Sequence, residues 1–366
     1  MTYSLPIDAE ADVTPEWLTA ILQQAGILSR GNVTTIQFTQ AKYAFNSKTE
    51  HLHLSYSQDA SGEMLTKLVL KRNSSQQEWY REGGQQEAHF YRLLASLPDL
   101  SAIFVRCLAA EYDERSGNSY VILEDLSDTH IPLIDKVPLA TTIETVIDIF
   151  AHFHAYWWEH PQLGSAIGPG RWQRDRAHFE LYHQQCMSAW QLLLLHEQDW
   201  LPEEIRQSYE QMLYLLPRLW ERYWEPRFAS KTQLTVIHGD AYFIQFLVPR
   251  DDRFGQTYLI DWQRPKMHIG VSDLVHMCDT FWTRAIRQEG QRELHLLQRY
   301  YDLLCTYGVK NYTWEELLID YRSQLIEEAL FPVLHDCLRT TKHYWWPKIQ
   351  CLMAAVEDWQ CLKLLE

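Results

Sequence analysis

The chain has 366 residues, of which 46% are hydrophobic and 22% are charged, and its formal net charge is -15 at pH 7. These values are typical of a globular protein, and the length suits two lobes that share a cleft. Binding to nucleic-acid phosphates needs clustered Lys and Arg, and the sequence contains no basic run, so we expect no nucleic-acid partner. An acidic surface favours small neutral or cationic partners.

The sequence predicts a cytoplasmic protein with no membrane partner. The stretch MTYSLPIDAEADVTPEWL lacks the basic and apolar regions of a signal peptide, and the longest aliphatic run, Leu192 to Leu195, is too short to span a bilayer. The seven cysteines are scattered and form no C-x-x-C pair, so neither a disulfide framework nor a zinc site is indicated. The oligomeric state stays open.

The first third of the chain predicts a small α/β lobe. A leading helix begins with Thr14 as N-cap and Pro15 in the first helical position, and it ends at Gly26. After it, β-branched and aliphatic residues alternate with polar ones in three stretches, which predicts three antiparallel strands in series. These strands, and the helix and buried strand that follow, occupy residues 34–40, 51–57, 66–73, 85–97 and 119–126.

Beyond Pro138 nearly every pattern is helical, with long predicted helices at residues 141–160, 175–198 and 202–224. The segments QLTVIHGD, FLVPR and TYLIDW interrupt them, and we interpret these segments as a β hairpin embedded in a helical lobe. The predicted fold class is therefore α+β, with a small antiparallel-sheet N-lobe over residues 1–126 and a large, mainly helical C-lobe over 127–366.

Polar residues stand at or just after the ends of the predicted strands and in the helix between them. They are Lys71, Glu87, Glu124, Asp125, Asp240 and Asp261. Phosphoryl transfer from ATP needs a cation on the phosphates, a carboxylate that holds this cation, a base near the acceptor hydroxyl and oxygen ligands for Mg²⁺. Each of these parts has a candidate in the set.

Six segments resemble, in order and spacing, the aminoglycoside phosphotransferases and choline-kinase-like small-molecule kinases, and especially their ecdysteroid-kinase-like branch. The segments are LVLKR, EAHFYRLL, VILEDL, FHAYWW, VIHGDAYFIQFLV and YLIDW. The resemblance covers most of the chain, from about Thr14 to the segment GVKNYTWEELLIDYR. It implies a bilobal protein-kinase-like fold and an ATP-dependent phosphotransferase that phosphorylates a hydroxyl group of a small molecule.

The resemblance also implies a role for each matched residue of the N-lobe. Lys71 would bind the α- and β-phosphates of ATP, and Glu87 would pair with Lys71. Backbone groups near Glu124 and Leu126 would bond the adenine edge.

The rest of the implied machinery lies in a catalytic loop, residues 236–248, and a metal strand, residues 258–263. Asp240 would accept or orient the proton of the acceptor hydroxyl, and Asp261 would bind Mg²⁺. Gln245 stands where the family normally has an Asn that ligates Mg²⁺, and it offers the same neutral carbonyl on a longer side chain.

Two departures from the family pattern leave an alternative open. One is Gln245. The other is the loop QAKYAFNSKTE, which contains no glycine, although Asn46, Ser47 and Thr49 could still donate hydrogen bonds to phosphates, with Ser47 the preferred candidate. The alternative is a catalytically impaired kinase-like protein that binds a nucleotide or metabolite without phosphate transfer. A kinase that uses GTP also stays open.

Several polar residues are better explained by structural roles. His152 and His154 lie two apart in a predicted helix and point to different faces, so we interpret them as core histidines. His238 is interpreted as structural, and the resemblance implies that Asp273 braces the catalytic loop.

The acceptor pocket is expected between the helices from about Arg171 to Trp224 and the C-terminal helices. The abundant aromatic residues would suit a cationic or a flat apolar acceptor, and the sequence does not choose between them. Glu327 and Glu328 could face this pocket, but we expect them to face solvent.

Overall fold

A computed structural model describes residues 13–43, 47–73, 77–97, 100, 103–197, 200–251, 253 and 255–365. The chain forms two compact units. The first contains the described residues up to Pro132 and the segment Gln245–Pro265, and the second contains Leu133–Ile244 and the described residues from Lys266 onward. The proposed boundary between residues 126 and 127 stays a prediction, because compactness alone does not decide which segments act together in a reaction.

Eleven helices and twelve strands are defined within the described residues. The helices are α1 Pro15–Gln24, α2 Glu78–Leu94, α3 Ala140–Tyr156, α4 Arg176–Glu197, α5 Glu203–Leu219, α6 Glu225–Ser230, α7 Ser272–Cys278, α8 Arg284–Gln288, α9 Arg292–Thr306, α10 Trp314–Phe331 and α11 Lys342–Asp358. The strands are β1 Leu28–Arg30, β2 Val33–Tyr43, β3 Lys48–Tyr56, β4 Ser61–Gly62, β5 Lys67–Asn73, β6 Cys107–Tyr112, β7 Ser119–Glu124, β8 His130–Pro132, β9 Thr235–Ile237, β10 Phe246–Pro249, β11 Tyr258–Leu259 and β12 Lys266–His268.

The first unit is built on a five-stranded antiparallel sheet with the order β2-β3-β5-β7-β6. This confirms the predicted strands and their antiparallel order. The leading helix α1 also begins as expected, since the Thr14 side chain accepts a hydrogen bond from the Trp17 amide at 3.2 Å. Apolar side chains of α1 and of the sheet share one core, whose fully buried members include Leu18, Leu22, Leu52, Leu68, Leu70 and Ile122.

Helix α2 lies unusually close to the strands β5 and β7. A Cβ atom on Gly84 would come within 2.4 Å of the Ser119 hydroxyl and 2.9 Å of the Asn73 side-chain nitrogen. The Asn73 amide also donates a hydrogen bond to the Tyr80 carbonyl at 2.7 Å, which ties the first turn of the helix to the end of β5. Glycine at position 84 thus allows the close approach of helix and sheet.

The segment Gln245–Pro265 joins the first unit through a small three-stranded sheet in which β10 lies between β8 and β11. The side chain of Trp262 is completely buried and packs against Phe90 of α2 and Phe104, with ring centroids 4.8 and 5.1 Å away. The β10–β11 hairpin was expected, and its assignment to the helical C-lobe stays a prediction. Its partners β8 and α2 belong to the sheet-containing unit.

The second unit is mainly helical, as expected beyond Pro138. Strand β9 pairs with β12, a short strand that the sequence patterns did not indicate. A buried ionic network lies among its helices: Arg287 has no exposed surface on its side chain and contacts Glu293 at 3.0 Å and Asp358 at 2.6 Å. Within the described residues, no helix has both the length and the apolar character needed to cross a membrane.

Substitution of Gly84 by Ala should destabilise the protein by about 1–3 kcal/mol, because the new methyl group would be forced against Ser119 and Asn73. The free energy of unfolding from urea denaturation measures this change. Gly83→Ala is the matched control, since its Cβ would find its nearest neighbour at 3.7 Å, and the gain in helix propensity should leave stability unchanged or slightly raised. Equal effects of the two variants would contradict the close approach at Gly84.

Candidate active site

The ammonium group of Lys71, whose side chain is only 16% exposed, is the centre of a charged cluster in the first unit. Lys71 lies on the central strand β5, opposite Thr49 on β3 and Val121 on β7. Its Nζ donates to Glu87 Oε1 on α2 at 2.8 Å and also to Asp261 Oδ1. Three of the residues that were predicted to share a site are therefore in direct contact.

Burial and charge act in opposite directions on this cluster. Burial lowers the pKa of Lys71, but the nearby carboxylates of Asp261 and Glu87 raise it more, so that it lies above its usual range. Burial raises the pKa of Glu87, partly offset by the attraction of Lys71. Lys71 therefore remains protonated at neutral pH, as a ligand for an anion requires.

Asp261 is held in an uncommon backbone conformation. It lies just beyond the two-residue strand β11, so the expected metal strand is shorter than residues 258–263, and its φ is 68°. Few residues other than glycine adopt the left-handed region, although Asp tolerates it, and such residues concentrate at functional sites. The neighbouring Trp262 is completely buried and packs on Phe90 of α2, which anchors the backbone next to Asp261.

Gln245 reaches the second oxygen of the same carboxylate. Its Nε2 donates to Asp261 Oδ2 at 3.0 Å, and its backbone carbonyl accepts from the Ile260 amide at 2.9 Å. Rotating the side-chain amide by half a turn would bring Oε1 to the same place. A carboxylate and a neutral carbonyl are the oxygen ligands that Mg²⁺ takes together with waters and substrate phosphates, so this pair fits the ion.

The remaining residues predicted to bind the nucleotide lie on or beside the same sheet. Glu124 ends β7, and its amide donates to the Arg106 carbonyl at 3.0 Å. The Leu126 carbonyl accepts from the amides of Thr129 and His130, which closes a turn directly after the strand. Ser47 is partly buried immediately before β3, whereas Asn46 lies outside the described residues.

In the second unit, Asp240 belongs to a loop that is fixed by the buried Asp273. The Asp273 carboxylate accepts hydrogen bonds from the backbone amides of His238 at 2.7 Å and Gly239 at 3.0 Å, and the His154 ring lies 3.2 Å from it. Gly239 has a φ of 74°, a conformation that glycine adopts readily. These contacts match the bracing role expected for Asp273.

His154 also contacts the Tyr300 hydroxyl at 2.8 Å, whereas the His152 ring stacks on Tyr307 at 4.9 Å. The two rings thus have different partners, as expected from their spacing. Burial raises the pKa of Asp273, but His154, His238 and the His238 amide lower it more, so that this pKa lies below its ordinary value.

The expectation that Glu327 and Glu328 face solvent was wrong. Their side chains are only 14% and 12% exposed, and each pairs with a histidine from another part of the chain. Glu327 lies 3.4 Å from His268, and Glu328 lies 3.0 Å from His276. His276, whose other ring nitrogen lies 4.0 Å from Asp240, was missed, although its position one helical turn after Asp273 was a usable signal.

The ecdysteroid kinase-like family model matches residues 85–310, which is more than half of the chain. The chain belongs to the ecdysteroid kinase-like family. The matched range contains Glu87, Asp240, Gln245, Asp261 and Asp273, and it begins after Lys71. No curated protein matches this family member closely enough to add to the assignment.

Solved structures share the fold of this ecdysteroid kinase-like chain. A mutant of aminoglycoside 2'-phosphotransferase-IIIa in complex with GDP aligns with a TM-score of 0.50 and 13% identity, over 94% of this chain and 96% of its own. The macrolide 2'-phosphotransferase MphH from Brachybacterium faecium gives a TM-score of 0.51 and 13% identity, over 92% and 98%. The predicted bilobal, protein-kinase-like α+β fold is confirmed.

Asp273→Asn should loosen the loop that carries Asp240, because the His238 and Gly239 amides donate to different carboxylate oxygens and one of these becomes an NH₂ donor. We expect the His238 and Gly239 amides to exchange their hydrogens about 10–100-fold faster, corresponding to a loss of about 1–3 kcal/mol. Hydrogen exchange followed by mass spectrometry measures this change. Asp302→Asn, on an exposed position of α9, is the control and should leave the exchange of both amides unaltered.

The stability difference between the wild type and Asp273→Asn should also depend on pH. Since the folded pKa of Asp273 is below its unfolded value of about 3.9, its ionised form stabilises the fold above that pH, and this contribution is lost as the pH falls further. The two unfolding free energies should therefore converge below about pH 4. A gap that stays constant down to pH 2 would contradict the role of the carboxylate charge.

Proposed function

We propose that this protein is an ATP-dependent phosphotransferase that phosphorylates a hydroxyl group of a small molecule. The observation that carries the proposal is the contact of the partly buried Lys71 with both Glu87 and Asp261, with Gln245 on the second oxygen of Asp261. A permanently charged ammonium next to a carboxylate and amide pair provides what a metal-bound triphosphate requires. Membership of a kinase-like family and the shared fold support the same reaction.

In this proposal the nucleotide is bound by groups of the first unit. Lys71 binds the α- and β-phosphates, and Glu87 keeps its ammonium in place. Backbone groups near Glu124 and Leu126 bond the edge of the adenine, and Ser47 donates to the phosphates. The GDP complex of one solved structure supports nucleotide binding by this fold and keeps GTP as an alternative phosphate donor.

Asp261 and Gln245 would hold Mg²⁺. When bound, the ion neutralises charge on the phosphates of the nucleotide. The chain's own residues orient these phosphates and keep them aligned with the acceptor. Such positioning, together with charge stabilisation, is the main source of catalysis in phosphoryl transfer.

Asp240 accepts the proton of the acceptor hydroxyl, or orients that hydroxyl, as its oxygen attacks the γ-phosphorus. The bracing of its loop by Asp273 supports this role, because a base must be held within hydrogen-bonding reach of its proton. The proton moves to the carboxylate while the bond from the γ-phosphorus to the departing ADP oxygen breaks.

The acceptor is a small molecule bound by the helices between Arg171 and Trp224 and by the C-terminal helices. In support, Trp172 is partly exposed and stacks on Tyr182 with ring centroids 4.8 Å apart. The neighbouring Gln173 is buried, and both atoms of its amide lack a hydrogen-bond partner among the described residues. The site suits a cationic or a flat apolar acceptor rather than nucleic acid, and we place the reaction in the cytoplasm.

A binding protein without phosphate transfer is the second candidate. The orientation of the Gln245 side chain favours this candidate. Its amide nitrogen donates to Asp261, whereas a kinase mechanism needs the carbonyl oxygen of Gln245 to face the metal. Dependence on Mg²⁺ separates the two candidates.

Calorimetric titration with ATP should show binding that strengthens when Mg²⁺ is added and weakens with a chelator. Lys71→Met should reduce the affinity about 10–100-fold, because a charged hydrogen bond to phosphate contributes about 1.5–3 kcal/mol. Lys67→Met is the matched control on the same strand, since Lys67 is 39% exposed and pairs with the exposed Asp128. An affinity for ATP that changes neither with Mg²⁺ nor in Lys71→Met would refute the proposed nucleotide site.

ATP turnover with a panel of hydroxyl compounds tests the catalytic part. Asp240→Asn should lower kcat about 10²–10⁴-fold with an unchanged fold, and Asp302→Asn on the exposed face of α9 should not. Full turnover in Asp240→Asn would exclude the assigned base. Gln245→Asn should be neutral or activating if Gln245 ligates Mg²⁺, whereas a protein without phosphate transfer shows no turnover in any variant.

A further inference from the structure

A buried imidazole faces the carboxylate of Asp240 in the second unit. His276 lies on α7, one turn after Asp273, and is only 6% exposed. Its Nδ1 lies 3.0 Å from Glu328 Oε1 on α10, and the Thr280 hydroxyl donates to the same oxygen at 3.2 Å. The orientation of the ring is therefore fixed by a neighbouring helix.

Two aromatic rings pack against the His276 imidazole. Tyr242, two residues after Asp240, meets the ring at a centroid distance of 4.5 Å, and Phe331 meets it at 5.8 Å. Both contacts are edge-to-face, with interplanar angles of 62° and 83°. The ring cannot rotate without disturbing this packing.

The second ring nitrogen is directed at Asp240. Nε2 lies 4.0 Å from Asp240 Oδ1 and forms no hydrogen bond within the described part of the chain. This separation is an ion-pair distance and exceeds that of a direct hydrogen bond. A small movement of either side chain, or one bridging water, would connect the two groups.

The surroundings favour the protonated form of the imidazole. The charged groups that face it are the carboxylates of Glu328, Asp240 and Asp273, and the ionisable phenol of Tyr242 packs on its face. Burial lowers the pKa of His276, but Glu328 and Asp240 raise it more, so that it lies above its ordinary value. In this form Nδ1–H donates to Glu328 and Nε2–H points to Asp240.

We propose that His276 is a positioning residue for Asp240: held at Nδ1 by Glu328, the imidazolium keeps the Asp240 carboxylate turned toward the acceptor hydroxyl. This inference rests on the proposed function of Asp240. The hydroxyl proton moves to Asp240 while the oxygen–phosphorus bond forms and the bond to ADP breaks, and His276 keeps its own proton throughout. In a loose transition state the orientation of the hydroxyl matters more than the strength of the base, so a neighbouring cation is compatible with catalysis.

The arrangement predicts the direction of a pH effect. As the pH rises through the pKa of His276, Nε2 loses its proton and presents a lone pair to the carboxylate. Asp240 then loses its electrostatic partner, and turnover should fall on the alkaline side of the profile. Below this pKa the contribution of His276 is complete.

Glu328→Gln tests the proposal, because it removes the charge that favours the imidazolium and keeps an oxygen that can accept from Nδ1. The probe is hydrolysis of Mg·ATP with water as the acceptor, followed by phosphate release across the pH range. We expect the alkaline limb of kcat to move down by about one pH unit. Glu144→Gln is the matched control, since Glu144 pairs with the exposed His295 at 3.2 Å on the surface of the same unit.

Replacement of His276 itself separates positioning from packing. His276→Phe keeps the ring shape and should lower kcat about 10–100-fold with little change in the KM for ATP. His276→Gln retains a neutral hydrogen-bond donor, so its kcat should be higher than that of His276→Phe. In both variants the alkaline limb of the pH profile of kcat should be lost. A full kcat in His276→Phe, or an alkaline limb that survives in it, would overturn the proposal.

The titration of His276 by NMR makes the test independent of turnover. In the full chain with ¹³C-labelled histidine, the signal that disappears in His276→Phe should titrate above pH 6.5, the ordinary histidine value. Its pKa should fall in Asp240→Asn. If the pKa of His276 is unchanged in Asp240→Asn, the coupling of His276 to Asp240 is refuted even if the enzyme turns over. If the pKa falls in Asp240→Asn but the wild type transfers no phosphate, only the proposed function is refuted.

Discussion

The desolvation of the Lys71 ammonium is the constraint on which the first unit depends. Removing such a group from water costs several kcal/mol unless carboxylates and hydrogen bonds compensate for it. Both compensating carboxylates come from other elements, Glu87 from α2 and Asp261 from the segment after β11. The absence of a side chain at Gly84 brings α2 close enough, and the burial of Trp262 sets the position of Asp261.

The second unit poses the opposite problem, since Asp273 and Asp279 are buried carboxyl groups that need donors. Asp273 obtains two backbone amides and a histidine. Asp279 receives the Tyr321 hydroxyl at 2.6 Å, and the same hydroxyl contacts Glu293 at 2.5 Å. Removing one donor from such a network leaves a buried carboxyl oxygen without a partner, so these groups specify a single arrangement of the helices more strongly than apolar packing alone.

The sequence was most informative where a local rule decides the structure. Thr14 and Pro15 marked the start of α1, and alternation of residue type marked β2, β3 and β5. The family resemblance implied the pairing of Lys71 with Glu87 and placed Asp261 in the same site as a metal ligand, but the direct contact of Lys71 with Asp261 came from the structure. Local patterns could not show that β9 pairs with β12, because a three-residue strand such as Lys266–His268 carries too little periodicity.

Glu327 and Glu328 show a second limit of sequence analysis. Acidic residues are mostly exposed, so solvent was the reasonable expectation for a helix of mixed polarity such as α10. Their actual partners, His268 and His276, are separated from them by about fifty residues or more, and only the tertiary packing brings them together. The positive φ of Asp261 was equally hidden, because nothing in YLIDW distinguishes a continuing strand from one that ends after Leu259.

The division of the chain has a consequence for the order in which the protein can assemble during synthesis. The segment Gln245–Pro265 completes the first unit but is translated after more than a hundred residues of the second. Until Asp261 has left the ribosome, Lys71 can form an ion pair only with Glu87. This differs from the usual case, in which an N-terminal domain folds first. The sheet-containing unit should therefore reach its final stability late, and a fragment ending at Pro132 should lack it.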